Sequence, residues 1–235
     1  FLTDNNDPDR TVAIIRQLNY VVVLQQRSME FYYDAANPVG SPLSIQQSLS
    51  VEVGCADGDS VAKMDNSVIW VGTSRLHGRG VYLLDNGTQP TIVSTPAIER
   101  FLNANPTNSI YSFVFKIAGH NFYILTLKEA GQTLVYDLNE KEWYIWTTFD
   151  GSNEVSFNLG FYTEFNGTYF ALGRNDGIIY QISTTTYTDN LQPIYLRVVT
   201  DLVDNGTSKR KFYNKVELIG DKVSGNCVIS NSNDD

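Results

Sequence analysis

Two histidines, several carboxylates in turn-like segments and one arginine-containing loop are the residues of this sequence whose types suit chemistry. His77 and His120 lie far apart, and neither occurs in the His-Glu-x-x-His spacing that binds zinc. No Gly-x-Ser-x-Gly elbow and no Gly-x-x-x-x-Gly-Lys-Ser/Thr phosphate loop is present. Because His120 follows Gly119 at a strand entrance, we interpret it as a hydrogen-bonded structural imidazole. The sequence therefore predicts no catalytic, cofactor-binding or metal-binding residue.

The carboxylates admit two interpretations. Glycosidases use a pair of acidic side chains for acid–base catalysis, but the acidic residues here occur where capping and solvation explain them. The residues concerned are Asp57, Asp59, Glu140, Glu142, Asp150 and Glu154. Asp57-Gly58-Asp59-Ser60 is also too short for a calcium loop of the EF-hand type. Capping is the interpretation that we favour.

A basic, glycine-containing loop is the candidate interaction site. Arg75, His77 and Arg79 lie in Arg75-Leu76-His77-Gly78-Arg79-Gly80. Guanidinium groups in such a loop bind anions or pair with the carboxylates of a neighbouring structural unit or subunit. We favour the pairing interpretation and therefore treat the loop as a candidate interface.

Composition excludes several classes of function. The 235 residues carry a formal net charge of −9, which disfavours the basic surface that nucleic-acid binding needs. The 42 % apolar and 18 % charged content predicts a folded core, and no apolar run is long enough to span a membrane. Cys55 and Cys227 allow one disulfide at most, and we interpret Cys55 as a small buried residue. Because the chain opens with Phe1, we expect an internal piece of a longer polypeptide.

Strand patterns dominate the chain. Short runs rich in Val, Ile, Tyr, Phe and Thr alternate with Asn-Gly and Asp-Gly dipeptides, which suit the positive φ of tight hairpin turns. These dipeptides begin at Asn86, Asn166, Asn205, Asp57, Asp150 and Asp176. One helix is predicted, with Thr95 as its N-cap and Pro96 leading into Ala97 to Leu102.

The strands repeat along the chain. Aromatic or branched runs begin at Tyr20, Val68, Phe122 and Tyr169, so the intervals are 48, 54 and 47 residues, and a second run follows each after a polar turn. A period of about 50 residues with about four strands per unit is the size of a β-propeller blade. The predicted fold is therefore all-β, a partial β-propeller in which four to five blade-like repeats are visible.

The third unit carries the clearest hairpin, and the C-terminal part differs from the repeats. Tyr136-Asp137, a polar turn and Trp143 form a pattern in which the Asp caps the turn and the Trp packs between sheets. We assign residues 1–193 to blades and residues 194–235 to additional β strands, which form either a last blade or the start of a second β domain. These strands are Ile194–Thr200 and Lys211–Ile219, with a Lys209-Arg210-Lys211 cluster that we interpret as a solvated loop.

Motifs in fixed order resemble the packaged-DNA stabilisation proteins, or tail hub (nozzle) proteins, of short-tailed bacteriophages. They span roughly residues 8 to 182 and include Gln26–Phe31, Asp65–Gly72, Gly78–Tyr82, Ile92–Glu99 and Gly119–Tyr123. The chain departs from the family at Pro42-Leu43-Ser44, where a longer Pro-Phe element is common. The family-motif residues are Ser28, Glu30, Gly54, Ser60, Trp70, Gly78, Arg79, Gly80, Ser94, Thr95, His120, Tyr136, Asp137 and Trp143.

The resemblance implies a structural virion protein without enzymatic activity or cofactor. It implies a homo-oligomer, a hexameric ring in the virion tail below the portal and its adaptor, with assembly in the host cytoplasm. Such a ring extends the DNA channel, retains packaged DNA and docks fibre or spike proteins, while DNA passes without sequence-specific binding and no membrane is entered. It leaves open whether Lys209, Arg210 and Lys211 approach DNA.

Two other functions compete with this one. A carbohydrate-binding or glycosidase-type propeller predicts convergent carboxylates and exposed aromatic residues at one end of the central channel. A kelch-like scaffold predicts a closed ring of blades from one chain and a stable monomer. The tail hub predicts a multimer, no turnover, and neighbouring genes for portal and terminase.

Overall fold

The computed structural model describes residues 9–75, 78–200, 206, 215, 217 and 228–230. The chain divides into two units, Phe1–Tyr195 and Leu196–Asp235. Within the described residues of the first unit, antiparallel sheets follow one another in chain order, with one α-helix between the second and the third. The prediction of an all-β fold is confirmed.

Sheets 1 and 2 occupy the N-terminal half. Sheet 1 has the order β1 (Thr11–Gln17), β2 (Tyr20–Gln25), β3 (Met29–Asp34) and β4 (Leu43–Ile45). In sheet 2, two short strands pair with β7, which pairs with β8, which pairs with β9. The strands of sheet 2 are β5 (Gly54–Cys55), β6 (Ala62–Met64), β7 (Ser67–Ser74), β8 (Gly78–Asp85) and β9 (Thr91–Ile92). Short 3-10 helices at Gln47–Leu49 and Gly58–Ser60 flank β5.

Sheets 3 and 4 follow the helix α1 (Pro96–Ala104). Sheet 3 has the order β10 (Ile110–Ile117), β11 (His120–Leu127), β12 (Gln132–Asp137), β13 (Glu142–Phe149) and β14 (Glu154–Ser156). Sheet 4 contains β15 (Leu159–Phe165), β16 (Thr168–Gly173) and β17 (Ile179–Ile182). A separate two-stranded ladder joins β18 (Thr188–Asp189) to β19 (Gln192–Pro193).

The predicted repeat corresponds to these four sheets. The runs that begin at Tyr20, Val68, Phe122 and Tyr169 fall in β2, β7, β11 and β16, the second or central strand of each sheet. The runs that follow them form the adjoining strands β3, β8, β12 and β17. Each predicted inner hairpin is therefore confirmed, because alternating apolar residues around a tight polar turn specify it locally.

Most of the turn dipeptides adopt the expected backbone. Asn86 and Asn166 have φ values of 43° and 51°, and both lie between paired strands. Asp57 is different, since its φ is −154° and its side chain caps the 3-10 helix Gly58–Ser60. The expectation of a tight turn with positive φ at Asp57 is wrong, because the carboxylate satisfies a local N–H instead.

The helix begins where the sequence predicts. Thr95 is its N-cap and accepts a hydrogen bond from the backbone N–H of Ile98 at 3.4 Å. Pro96 occupies the first helical position, where a missing N–H costs nothing. The helix continues to Ala104, two residues beyond the predicted end, and Leu102 is its buried residue.

Three apolar clusters join the sheets in chain order. The first lies between sheets 1 and 2, the second between sheets 2 and 3, and the third between sheets 3 and 4. Strand β7 shows why, since Val68 and Trp70 belong to the first cluster while Ile69 and Val71 belong to the second. Because successive side chains of a strand point to opposite faces, a continuous apolar run can pack against a neighbour on each side.

Part of the C-terminal prediction is corrected. Residues 194–200 form no strand in the structure, so the strand expected at Ile194–Thr200 is not observed. Propensity for β structure is realised only where a partner strand pairs with the segment. The Lys209-Arg210-Lys211 cluster and Cys227 lie outside the described residues, and so does the second expected strand, Lys211–Ile219, except for Lys215 and Glu217. Whether residues 194–235 form a last blade or a second domain stays a prediction.

Candidate assembly surfaces

The His120–Asp137 pair closes the central hairpin of sheet 3. His120 Nδ1 lies 2.6 Å from Asp137 Oδ2, and the Asp137 side chain is almost completely buried. Asp137 Oδ1 also accepts the backbone N–H groups of Asn139 at 2.8 Å and Glu140 at 3.4 Å. The imidazole stacks on the ring of Phe122 with an interplanar angle of 8°. The Asp137 carboxylate therefore caps the turn, and the structural role of His120 stays a prediction that these contacts support.

Trp143 fastens sheet 3 to the segment that follows sheet 2. Its indole N–H donates to the carbonyl of Val93 at 2.8 Å, and its ring lies 5.0 Å from that of Tyr136, its cross-strand partner. The predicted role of this tryptophan, packing between sheets, is therefore confirmed. The residue is half-buried, and its polar atom is satisfied by a backbone acceptor.

Ser60 forms a second junction between sheets 2 and 3. Its fully buried hydroxyl donates to the carbonyl of Asp57 at 2.6 Å and accepts the N–H of Val71 at 3.1 Å. The carbonyl of Ser60 accepts a hydrogen bond from the phenol of Tyr123, across the sheet interface, at 2.7 Å. Burial raises the pKa of Tyr123 far above its ordinary value, so the phenol remains a donor.

Gly54 and Trp70 form the junction between sheets 1 and 2. The indole N–H of Trp70 donates to the carbonyl of Gly54 at 3.0 Å, and the Trp70 side chain is fully buried. A Cβ atom at Gly54 would lie 2.2 Å from the backbone carbonyl of Gln26, in the turn that joins β2 to β3 of sheet 1. Only glycine permits this approach, so the motif residue Gly54 is set by packing.

Arg79 holds the end of the helix. Its guanidinium donates to the carbonyls of Leu102 at 3.2 Å and Asn105 at 2.9 Å, and its backbone N–H donates to the side chain of Asn103 at 3.1 Å. The last carbonyls of a helix have no partner within it, and a cation there also complements the helix dipole. Arg79 therefore has an internal role. His77 lies outside the described residues, and the candidate interface at Arg75, His77 and Arg79 stays a prediction.

The remaining motif residues organise the helix entry and the first hairpin. Ser94 accepts the N–H of Val81 at 3.1 Å and donates to Glu99 at 3.2 Å, so it links β8 to the helix. In the first hairpin, the carbonyl of Ser28 accepts a hydrogen bond that closes the β2–β3 turn, and the buried Glu30 accepts one from the Tyr32 phenol. In β8, Gly78 has a φ of +68°, and Gly80 leaves room for the Ser94 side chain.

Asp57 and Asp150 occupy capping positions, whereas Glu142 and Glu154 are exposed first residues of β13 and β14, so the expectation of a turn is wrong for these two glutamates. Asp57 accepts the N–H of Asp59 at 2.8 Å, and Asp150 accepts those of Ser152 and Asn153, each at 2.8 Å. The Asn153 and Ser152 hydrogen bonds lower the pKa of Asp150.

Within the part of the chain that the structure describes, no group of three or more His, Cys, Asp or Glu side chains is arranged to hold a metal ion. Among the same residues, no helix is long and apolar enough to cross a membrane.

Several contacts between sheets involve residues that the sequence did not single out. Tyr123 is one, and Tyr162 is another, since its phenol donates from sheet 4 to the carbonyl of Lys116 at 2.9 Å. Arg174 lies 3.4 Å from the centre of the Tyr111 ring, a cation–π contact between sheets 4 and 3. A tyrosine within a strand-like run was the available signal, but nothing local identifies its partner.

Antiparallel sheets that pack against one another in chain order, and that are joined by side-chain hydrogen bonds to the backbone of the neighbour, are the architecture of the β-propeller class. The family model described as Bacteriophage P22 Gp10, beta-propeller, of the phage stabilisation family, matches residues 1–187. The chain belongs to this family of phage structural proteins. A search of curated proteins finds no match to the chain.

Proposed function

We propose that this chain is a non-enzymatic component of the tail hub, or nozzle, of a short-tailed phage. It extends the DNA channel below the portal and adaptor, retains the packaged genome and docks other tail proteins. The observation that carries the proposal is the chain of inter-sheet tethers within a phage stabilisation family. The motif residues Gly54, Ser60, Trp70 and Trp143 pack neighbouring sheets against each other, which supports a structural role for the chain.

The charge of the chain agrees with a conduit through which DNA moves. The formal net charge is −9, so a ring of six copies presents an acidic body to a polyanion. A surface of this sign repels phosphates and releases no counterions on contact, so it does not retain DNA by adhesion. Retention in such a tail is mechanical, through closure of the channel, and ejection proceeds without a strong binding step.

A nonsense allele in the phage that encodes this chain tests the role. Without the protein, heads are expected to fill with DNA and then lose it, which electron microscopy measures as the ratio of empty to full particles. Complementation with the wild-type chain restores full particles, and native mass spectrometry of isolated tails is expected to give six copies. Stable, infectious particles that lack the chain would remove the proposal. Flanking genes for sugar transport and hydrolysis, instead of portal and terminase, would also count against it.

A further inference from the structure

Sheet 4 differs from the other three sheets at one edge. In sheets 1, 2 and 3 the strands β3, β8 and β12 each pair with a further antiparallel strand, namely β4, β9 and β13. Strand β17 is the counterpart in sheet 4, and within residues 9–75 and 78–200 no strand pairs with its second edge. An edge of this kind presents backbone N–H and C=O groups that an added strand can satisfy.

Two cavities of opposite character lie between sheets 3 and 4, each lined by one residue of β17, and residues of β18 and β19 also line the second. The first, the apolar cavity, has a volume of about 220 Å³ and is lined by aromatic and aliphatic side chains, including Phe115, Trp146 and Ile182. The second, the acidic cavity, has a volume of about 300 Å³, and its lining includes Asp150, Asp176 and Asp189 without any Lys or Arg. Leu159 belongs to both linings, so the cavities adjoin.

Strand β17 borders both cavities with alternate residues. Tyr180 lines the acidic cavity and Ile182 lines the apolar one. Residues two apart in a strand share a face and are separated by roughly 6.5–7 Å. A strand added beside β17 would therefore direct two alternate side chains into the two cavities, because cross-strand neighbours on one face lie side by side.

The charge of the acidic cavity is fixed by hydrogen bonds. Asp176 accepts the backbone N–H of Ile178 and the phenol of Tyr180, and these bonds lower its pKa. The backbone hydrogen bonds to Asp150 lower the pKa of that carboxyl in the same way. Both carboxylates are therefore ionised at neutral pH, and a cationic side chain is the complementary occupant.

We propose that the second edge of β17 accepts an extended segment of another tail protein as the fourth strand of sheet 4. An apolar side chain of that segment enters the apolar cavity, and a Lys or Arg two residues later enters the acidic cavity. The order follows from the antiparallel pairing of the corresponding strands in the other sheets, which places the residue opposite Ile182 before the residue opposite Tyr180. The identity of the partner as a tail protein rests on the proposed function.

Titration of the full 235-residue chain with synthetic pentapeptides tests the inference. The probe is acetyl-Thr-Phe-Thr-Arg-Thr-amide, and the matched probes carry Glu for Arg, Ser for Phe, the reversed order of Phe and Arg, or N-methylated backbone amides. Isothermal titration calorimetry is expected to give a Kd below about 1 mM for the first probe. The Glu and Ser probes are expected to bind at least about tenfold more weakly, the reversed probe more weakly than the first, and the N-methylated probe not at all.

Variants of the chain supply the second arm. Ile182→Trp fills the apolar cavity and is expected to lower the affinity for the first probe about tenfold. Ile178→Trp, at an exposed neighbouring position outside both linings, is expected to leave that affinity unchanged. Asp189→Asn is expected to weaken binding several-fold, against no effect of Glu129→Gln, an exposed acid elsewhere. Circular dichroism confirms that each variant is folded.

Several results would overturn the site. They are no binding of the first probe, equal binding of the Glu or N-methylated probe, and indifference to Ile182→Trp. Slow amide hydrogen exchange at both edges of β17 in the free chain would show that another part of this polypeptide already occupies the edge. A chain that binds the peptide but never enters virions would retire the tail role and leave the strand-binding site standing.

Discussion

The hydrogen bond from Tyr123 to Ser60 gives the sharpest test of how the sheets are held together. Tyr123 lies in β11 and is completely buried, and its phenol donates to the Ser60 carbonyl at 2.7 Å across 63 residues of sequence. Tyr123→Phe removes only the hydroxyl, so the ring packing stays and the Ser60 carbonyl loses this donor. A buried acceptor without a partner costs about 1–3 kcal/mol.

This cost is measurable by urea denaturation and by thermal melting. For a chain of this length, about 1–3 kcal/mol corresponds to a decrease in Tm of roughly 2–12 °C. The matched control is Tyr187→Phe, because the Tyr187 side chain is 82 % exposed and the same hydroxyl is removed there without loss of a buried contact. An unchanged m-value in urea would indicate that the surface exposed on unfolding is the same in both variants.

One result would show that Tyr123 does not hold the two sheets together. If Tyr123→Phe lowers the free energy of unfolding by no more than Tyr187→Phe does, the phenol is not a tether between sheets 2 and 3. A larger loss for Tyr123→Ala, about 3–5 kcal/mol, is expected in addition, because that change also leaves a cavity where the ring packed.

Three further expectations concern the close approach at Gly54, the helix cap and the buried thiol. Gly54→Ala is expected to destabilise the chain by more than about 2 kcal/mol in urea, while Gly87→Ala, where a Cβ meets its nearest atom at 3.4 Å, is expected to be close to neutral; equal effects would contradict the packing argument. Arg79→Met keeps the aliphatic stem but removes the donors to the last helical carbonyls, so a loss of about 1 kcal/mol and faster amide exchange at the helix end are expected; unchanged exchange there would refute the cap. Burial raises the pKa of the Cys55 thiol to about 11, so in a Cys227→Ser background this thiol is expected to react with a disulfide reagent at pH 8 only after unfolding. The contribution of the neutral thiol to the free energy of unfolding is present below pH 9 and is lost as the pH rises towards 11. Rapid reaction of the native chain would show that the thiol is accessible.

Local sequence carried the prediction of the repeat and of the hairpin in sheet 3. Asp137 caps its turn through the backbone N–H groups of residues two and three positions later, an interaction that short-range patterns specify. The same kind of pattern gave the wrong backbone at Asp57, where a 3-10 helix competes with a hairpin turn and side-chain capping serves either one. The strand expected at Ile194–Thr200 fails for a related reason, since its pattern fits a strand but, within the ranges 9–75 and 78–200, no other segment pairs with it.

The sequence singled out Arg79 as an interacting residue but did not predict its hydrogen-bond partners. The sequence placed it in a basic loop and suggested anions or carboxylates as its partners. The structure brings the end of the helix to that loop, so the guanidinium meets the carbonyls of Leu102 and Asn105, more than twenty positions along the chain. The residue type indicated a need for acceptors, but the nature of those acceptors depended on which element packed beside the loop.

The amino-acid sequence alone determined the strands, most of their turns, the helix cap and the division into units of about fifty residues, because alternation of side chains and turn propensities act over a few neighbouring residues. Tertiary structure decided which faces meet, that Trp143 reaches Val93 and Tyr123 reaches Ser60, and that Tyr180 and Ile182 of β17 line an acidic and an apolar cavity. These features join residues that lie tens of positions apart. Their formation depends on the order in which whole sheets stack, and no local pattern encodes that order.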